Sequence, residues 1–273
     1  MFANSTDGVQ VAVHDLAGHD PELPVLLISH ATGFHARCYL PLADVLAPRF
    51  HSVGLDYRGH GDTPQPTGVP VEWSRYADDV EAVALTLTRP LTAFGHSMGG
   101  ACLLMAAHRH PDLFAQLVIF EPIVLDPALL RPDVGPPDLA TIARRRRATF
   151  ASIEAAIANF SAKPPLNRFA PEALDAYVRY GFRQGEDGQI HLKCSPELEA
   201  ATFEASRNQI TWELLPEISV PVLVVCGVLE PDSPAMHARS IADRLPNAAY
   251  LHLTEVDHFG PMTHPDVIAA LVP

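Results

Sequence analysis

Short apolar runs alternate with longer amphipathic stretches along most of this chain. The runs are bounded by polar or turn-forming residues, which predicts strands of a parallel sheet that is covered on both faces. They occupy residues 9–13, 25–29, 51–56, 91–94, 115–120, 222–226 and 249–253. Stretches of helical period occupy residues 37–47, 74–87, 101–110, 235–245 and 265–271, with Ser74 as the expected N-cap of the second. The alternation predicts an α/β fold in which helices flank a mostly parallel central sheet.

Residues 123–216 interrupt this alternation. Helical stretches are predicted there at residues 139–160 and 171–181, and the strand–helix pattern resumes at residue 217. A chain of 273 residues is long enough to bury one large core. We therefore expect residues 1–122 and 217–273 to form a core domain, with residues 123–216 inserted in it.

Residues 95–99, Gly-His-Ser-Met-Gly, lie between a predicted strand and a predicted helix. At such a strand-to-helix turn a serine hydroxyl is exposed as a nucleophile, and small residues are needed two positions before and after it. Ser97 is the candidate nucleophile, and the amide of Met98 is a candidate oxyanion donor at the helix N-terminus. The alternative is an ordinary turn in which Ser97 caps the helix.

Two other loops accompany the serine motif. Residues 30–34, His-Ala-Thr-Gly-Phe, follow the first central strand, and residues 56–61, Asp-Tyr-Arg-Gly-His-Gly, end the next. We expect Asp56 and Arg58 to form a charge-assisted pair in a structural turn. Together these motifs make the chain resemble the α/β-hydrolase superfamily. The resemblance implies the α/β-hydrolase fold and a helical lid at residues 123–216 that selects the substrate.

The resemblance also implies roles for individual loop residues. The loop after the first central strand supplies the second oxyanion donor in this superfamily, which implies the amide of Thr32. Members of the superfamily commonly carry His-Gly where this chain has His30 and Ala31. We expect His30 to brace the loop rather than to take part in the chemistry. Phe34 and His96 are the candidate substrate-binding residues.

Two glutamates are candidates for the acid of a catalytic triad. Glu121 ends a predicted central strand and lies 24 residues after Ser97, where some members of the superfamily carry the acid. Glu230 lies three residues after Gly227 in the loop that follows a later strand, which is the commoner position in the superfamily. Glu121 is the preferred candidate and Asp232 a distant third.

His258 is the candidate base. It follows the last predicted strand and precedes Phe259 and the last predicted helix, where the superfamily carries its catalytic histidine. The chain order of serine, acid and histidine is that of the superfamily whichever glutamate serves. This arrangement predicts a serine hydrolase that cleaves an ester, lactone or related acyl bond of a small, apolar substrate, without a cofactor or metal.

Two other functions remain open at the level of sequence. The same triad hydrolyses carbon–carbon bonds in some enzymes, and a non-catalytic receptor would use the same fold to bind a small molecule under the lid. A receptor would retain its ligand after Ser97→Ala and would form no acyl-enzyme. The serine at position 97 disfavours chemistry that needs a carboxylate nucleophile.

Charge and composition indicate which classes of partner are disfavoured. A formal net charge of −13 and a pI near 5.4 disfavour nucleic acids and anionic membrane surfaces as partners. The N-terminus carries no secretory signal, and no apolar run approaches the roughly 20 residues of a membrane helix, so we expect a soluble, cytoplasmic protein. A homodimer is compatible with the sequence. The four cysteines lack metal-ligand spacing and are expected to be reduced and mostly buried.

The run of four arginines at residues 144–147 is the one strongly basic segment. Four consecutive residues on a helix point in four directions, so most of these side chains are expected to be solvated. The alternative is that one or two of them bind an anionic group of the substrate, such as a carboxylate.

Overall fold

Eight strands of the described chain form one central sheet. The computed structural model describes residues 1–129 and 139–273. Its strands are β1 (Phe2–Asn4), β2 (Gln10–Ala17), β3 (Val25–Ser29), β4 (His51–Asp56), β5 (Leu91–His96), β6 (Phe114–Phe120), β7 (Thr149–Phe150), β8 (Phe182–Gln184), β9 (Ile190–Leu192), β10 (Val222–Cys226) and β11 (Ala248–His252). The central sheet has the order β1-β2-β4-β3-β5-β6-β10-β11. Strands β1 and β2 pair antiparallel, as do β2 and β4, and all other pairs are parallel.

The helices of the described chain either cover the two faces of this sheet or lie in the segment between β6 and β10. They are α1 (Leu40–Leu46), α2 (Trp73–Ala84), α3 (Met98–Arg109), α4 (Leu139–Arg144), α5 (Ile153–Ser161), α6 (Pro171–Gly181), α7 (Pro196–Ala205), α8 (Thr211–Leu214), α9 (Ala235–Arg244), α10 (Gly260–Thr263) and α11 (Pro265–Ala269). Successive residues of a strand alternate between faces. Thus Leu27 packs in one hydrophobic core with α2, α3 and α9, whereas Leu26 and Ile28 pack in a second core with α1 and α11. The α/β-hydrolase fold expected from the sequence is confirmed.

The segment between β6 and β10 is not purely helical. It contains helices α4 to α8 and a small antiparallel sheet of order β7-β9-β8. The helix predicted over residues 139–160 is wrong in its middle, because α4 ends at Arg144 and the short strand β7 separates it from α5. Residues 130–138 of the predicted lid lie outside the described residues.

Two local predictions were wrong. Helix α2 begins at Trp73 and is preceded by Glu72 at the N-cap, so Ser74 lies inside the helix. Arg58 does not pair with Asp56 but with the buried Asp79, at 2.6 Å between Nη2 and Oδ1. Asp56 instead accepts hydrogen bonds from the Ala36 and Asp62 amides and contacts His14 Nε2 at 2.7 Å. The sequence spacing cannot show this choice, because Asp79 reaches the turn from α2.

The expectation for the cysteines agrees with the structure. All four cysteines are buried and unpaired, and burial raises the pKa values of their thiols. Among the described helices, none combines the length and apolar character needed to cross a bilayer.

Candidate active site

Ser97 occupies a strained turn between β5 and α3. Its φ of 55° and ψ of −117° lie in a region that residues with a side chain rarely adopt. A β-carbon on Gly99 would lie 2.2 Å from the carbonyl oxygen of Ser29, and one on Gly95 would lie 2.7 Å from the Cα of Gly100. Both flanking positions therefore require glycine. The Ser97 side chain makes no capping hydrogen bond to α3, so the ordinary N-cap alternative is not supported.

The loop after β3 packs against the N-terminus of α3. The Thr32 hydroxyl donates to Met98 Sδ at 3.4 Å, so the two residues that carry the candidate oxyanion donors are in side-chain contact. Within residues 1–129 and 139–273, neither the Thr32 amide nor the Met98 amide donates a hydrogen bond. Ala31 has no positive φ, and the left-handed position of the loop is Gly33, with a φ of 76°. Alanine is therefore compatible with the position where the superfamily commonly has glycine.

Glu121 and His258 contact each other directly through their side chains. His258 Nδ1 lies 2.6 Å from Glu121 Oε2, and the Gly227 amide donates to Glu121 Oε1 at 2.8 Å. Glu121 is 1% exposed and has a φ of 44°, held by a hydrogen bond of 2.8 Å from its amide to the carbonyl of Val225. A carboxylate in this position accepts the Nδ1 proton of His258 and leaves Nε2 as the basic nitrogen.

The other candidate acids do not reach His258. Glu230 and Asp232 are exposed, and neither side chain bonds to His258 in the part of the chain that the structure describes. In the same part of the chain, no hydrogen bond joins the Ser97 hydroxyl to His258. Such bonds are often long in unliganded enzymes and shorten when substrate binds. The geometry therefore favours Glu121 over Glu230 as the partner of His258.

His96 is placed differently from our expectation. It is fully buried, and its Nε2 donates to the carbonyl of His258 at 2.8 Å. Its Nδ1 accepts from the Tyr39 hydroxyl at 2.8 Å, and that hydroxyl accepts from the Ala31 amide at 3.1 Å. Both ring nitrogens are thus used by the protein, which does not fit a substrate-binding role. Burial lowers the pKa of His96, so the ring is neutral.

Tyr39 is a site residue that the sequence did not indicate. Together with His96 it links the loop that carries Thr32 to the loop that carries His258. No motif marks it, since a buried tyrosine in a short helical turn is an ordinary core residue. His30 has the bracing position that we expected. Its Nε2 accepts from the Tyr57 amide at 3.1 Å, and burial lowers its pKa to about 3.

Phe34 belongs to an aromatic cluster beside His258. Its ring centroid lies 5.4 Å from that of Tyr177, 6.1 Å from that of Phe169 and 6.4 Å from that of Phe259. Phe169 and Tyr177 come from the segment between β6 and β10, and Phe259 follows His258 directly. Phe34 and Phe259 are only partly buried, so they offer apolar surface to a ligand near the candidate base.

Among the described residues, two clusters outside this constellation have metal-ligand chemistry. Asp15, His19 and His51 converge where β4 begins, which is the sheet edge opposite to Ser97. The other cluster, His14, Asp56 and Asp62, is compensated by cations, because Arg37 and Lys193 both pair with Asp62. Neither cluster includes a residue of the Ser97 site.

Comparison with known proteins identifies the family of this chain. A sequence model described as the alpha/beta hydrolase family matches residues 25–271. The 2-(acetamidomethylene)succinate hydrolase of Mesorhizobium japonicum is 28% identical over 212 residues, which cover 75% of this chain and 70% of that protein.

Solved structures give the same fold. The crystal structure of E-2-(acetamidomethylene)succinate hydrolase aligns with a TM-score of 0.75 at 20% identity, over 99% of this chain and 96% of that one. A thioesterase domain from the curacin biosynthetic pathway aligns with a TM-score of 0.79 at 17% identity, over 100% and 98%. The chain belongs to the alpha/beta hydrolase family.

Proposed function

We propose that this protein is a serine hydrolase that transfers an acyl group of a small substrate to water. The observation that carries the proposal is the 2.6 Å contact of His258 Nδ1 with the buried Glu121, on the same sheet edge as the strained Ser97. A catalytic serine needs a base, and the base needs an acid that fixes its tautomer. Membership of the family and hydrolase relatives support the same conclusion.

The proposed reaction has two acyl-transfer steps. His258 Nε2 takes the proton of the Ser97 hydroxyl as its oxygen attacks the carbonyl carbon, and the imidazolium is stabilised by Glu121. Collapse of the tetrahedral intermediate breaks the bond to the leaving group, which receives the proton from His258. Water then attacks the acyl-enzyme by the same route, which releases the acid and restores Ser97.

The oxyanion of each tetrahedral intermediate would be bound by the amides of Thr32 and Met98. The side chains of these two residues contact each other, and neither amide has an acceptor within the described residues, so both are available to a ligand. Each such donor contributes about 3 kcal/mol to transition-state stabilisation in other hydrolases. The mechanism requires no cofactor or metal.

The aromatic cluster of Phe34, Phe169, Tyr177 and Phe259 favours a substrate with an apolar portion. We propose a small ester, lactone or related acyl compound with an apolar portion against Phe34 and Phe259. A relative of the chain hydrolyses 2-(acetamidomethylene)succinate, so an amide-like bond in a carboxylated compound belongs to the same range.

Labelling with a fluorophosphonate, followed by intact-protein mass spectrometry, tests the proposal. The wild type should gain one adduct, and both Ser97→Ala and His258→Ala should lose it. Ser233→Ala is a matched control, because Ser233 lies in an exposed loop and its hydroxyl, within residues 1–129 and 139–273, bonds only to the carbonyl of Glu230. A wild type that fails to label beside a reactive reference hydrolase would contradict the proposal and favour a binding protein.

A further inference from the structure

Arg146 is the inward-facing member of the run of four arginines. Arg144, Arg145 and Arg147 are exposed, and Arg144 pairs with Glu197 and Glu204 at the surface. Arg146 instead donates from Nη1 to Glu199 and from Nη2 to the Tyr177 hydroxyl. Only 21% of its side chain is exposed, and 8% of that of Glu199.

This ion pair lies against the loop that carries Thr32. A β-carbon placed on Gly33 would lie 2.6 Å from Glu199 Oε1 and 3.3 Å from Arg146 Nη1. Gly33 directly follows Thr32, which contacts Met98 beside Ser97. On its other side the pair adjoins the aromatic cluster, since Tyr177 contacts both Arg146 and Phe34. A guanidinium group is therefore held one residue away from a candidate oxyanion donor.

Two features of Arg146 suit it to bind a ligand. A buried ion pair adds little stability compared with apolar residues of similar volume, so packing alone does not account for it. A guanidinium has five N–H donors in a planar fork, and Glu199 and Tyr177 use one each. The remaining donors match the two oxygens of a carboxylate.

We propose that Arg146 binds a carboxylate group of the substrate, with Glu199 and Tyr177 as the residues that position it. The proposal rests on the function proposed above and adds the charge of the substrate to it. Glu199 fixes the guanidinium but also repels a second carboxylate. Two variants therefore have opposite expected effects: loss of Arg146 weakens the preference for an anionic substrate, and loss of the Glu199 charge strengthens it.

The role of Arg146 can be tested with two esters of equal acyl length, mono-p-nitrophenyl adipate and p-nitrophenyl hexanoate. The adipate ester carries a carboxylate where the hexanoate ester carries a methyl group. We expect Arg146→Met to lower the adipate-to-hexanoate ratio of kcat/KM about 30-fold, through KM, which is typical of a lost charge-assisted hydrogen bond. Arg146→Lys should lose less, and Glu199→Gln should raise the ratio. Arg144→Met is the matched control and should leave the ratio unchanged.

Two results would overturn the proposal. Equal losses for both esters in Arg146→Met would show that Arg146 only braces the lid. If that variant fails to fold, an unchanged ratio in Arg146→Lys and Glu199→Gln would have the same meaning.

Calorimetric binding of adipate to Ser97→Ala separates this proposal from the function it rests on. If adipate binding disappears with Arg146→Met while the wild type hydrolyses neither ester, the carboxylate site is supported and the hydrolase is contradicted. Hydrolysis of both esters without preference, and without adipate binding, would support the hydrolase and contradict the site.

Discussion

Replacing Glu121 with glutamine is the sharpest test of the candidate triad, because the change keeps the size of the side chain. The carboxylate accepts two hydrogen bonds, from the Gly227 amide at 2.8 Å and from His258 Nδ1 at 2.6 Å. Glutamine offers one oxygen and one NH2 group. In the variant, the side chain can therefore accept a hydrogen bond from only one of these two groups.

Each orientation of the new amide has a cost. If its oxygen faces Gly227, its NH2 group donates to His258 Nδ1, and the ring proton moves to Nε2, which then cannot accept the proton of Ser97. If its oxygen faces His258, the buried Gly227 amide is left without an acceptor, at about 1–3 kcal/mol. Loss of the negative charge beside the imidazolium adds a similar amount. The sum corresponds to a fall in kcat of roughly 100- to 10,000-fold.

Steady-state hydrolysis of p-nitrophenyl butyrate measures this loss, with KM as a second readout that should change little. Glu230→Gln is the control, because its side chain is exposed, and its kcat should stay within about twofold of the wild type. If a folded Glu121→Gln variant kept more than a tenth of the wild-type kcat, the assignment of Glu121 as the triad acid would be refuted. A larger loss in Glu230→Gln would transfer the role to that residue.

Three further perturbations test the backbone, the buried charges and the buried histidines. Gly33→Ala introduces a β-carbon 2.6 Å from a carboxylate oxygen at a φ of 76°, whereas Gly188→Ala has a φ of 77° and no atom within 4 Å. In urea, Gly188→Ala should lower the free energy of unfolding by about 1 kcal/mol, and Gly33→Ala should lower it by at least twice as much. Equal losses would contradict the close contact of Gly33 with Glu199. Asp79→Ala leaves Arg58 without its buried partner and should lower the free energy of unfolding by about 3–5 kcal/mol. Asp78→Ala, at a half-buried residue whose ion pair with Arg109 is exposed, should lower it by less than about 1 kcal/mol, and similar losses would show that burial does not matter. Burial lowers the pKa of His96, of His237 and of three further histidines, so the unfolded state binds more protons below pH 6.5 and stability is lost as the pH falls. The loss is on the order of 2 kcal/mol at pH 5 for each of the three further histidines, and a melting temperature that stays constant from pH 7 to pH 5 would contradict this. These three histidines are His30, His35 and His60, with pKa values of about 3, 4 and 4.

The central strands could be predicted from the sequence to the residue in several cases. Residues 25–29, 51–56 and 222–226 are strands β3, β4 and β10, because each is a short run with polar or turn residues at both ends. The small sheet β7-β9-β8 could not be predicted in this way. Its strands have two or three residues, and such segments have no measurable periodicity. Their pairing depends on tertiary contacts.

The site could be predicted only as far as it depends on local sequence. The turn at Ser97 and the loop at Thr32 were located correctly, since each follows its own strand. The partner of His258 depends on which strands are neighbours, and the sequence left Glu121 and Glu230 open for that reason. Arg146 was hidden in a run of four because the predicted helix was too long. The helix ends at Arg144, so Arg146 lies beyond it and can turn inward.

The order of three strands explains why strain and candidate chemistry coincide in this protein. Ser97 and Glu121 are two of the four described non-glycine residues with positive φ, and each directly follows its strand, β5 or β6. Such backbone costs on the order of 1–3 kcal/mol per residue and persists only where neighbouring structure holds it. Here the amide of Ser97 donates to Phe120, at the end of β6, and the amide of Glu121 donates to Val225 in β10. Each strained residue is thus held by the next strand of the sheet, and the same order brings Glu121 to the Gly227 amide that orients it toward His258.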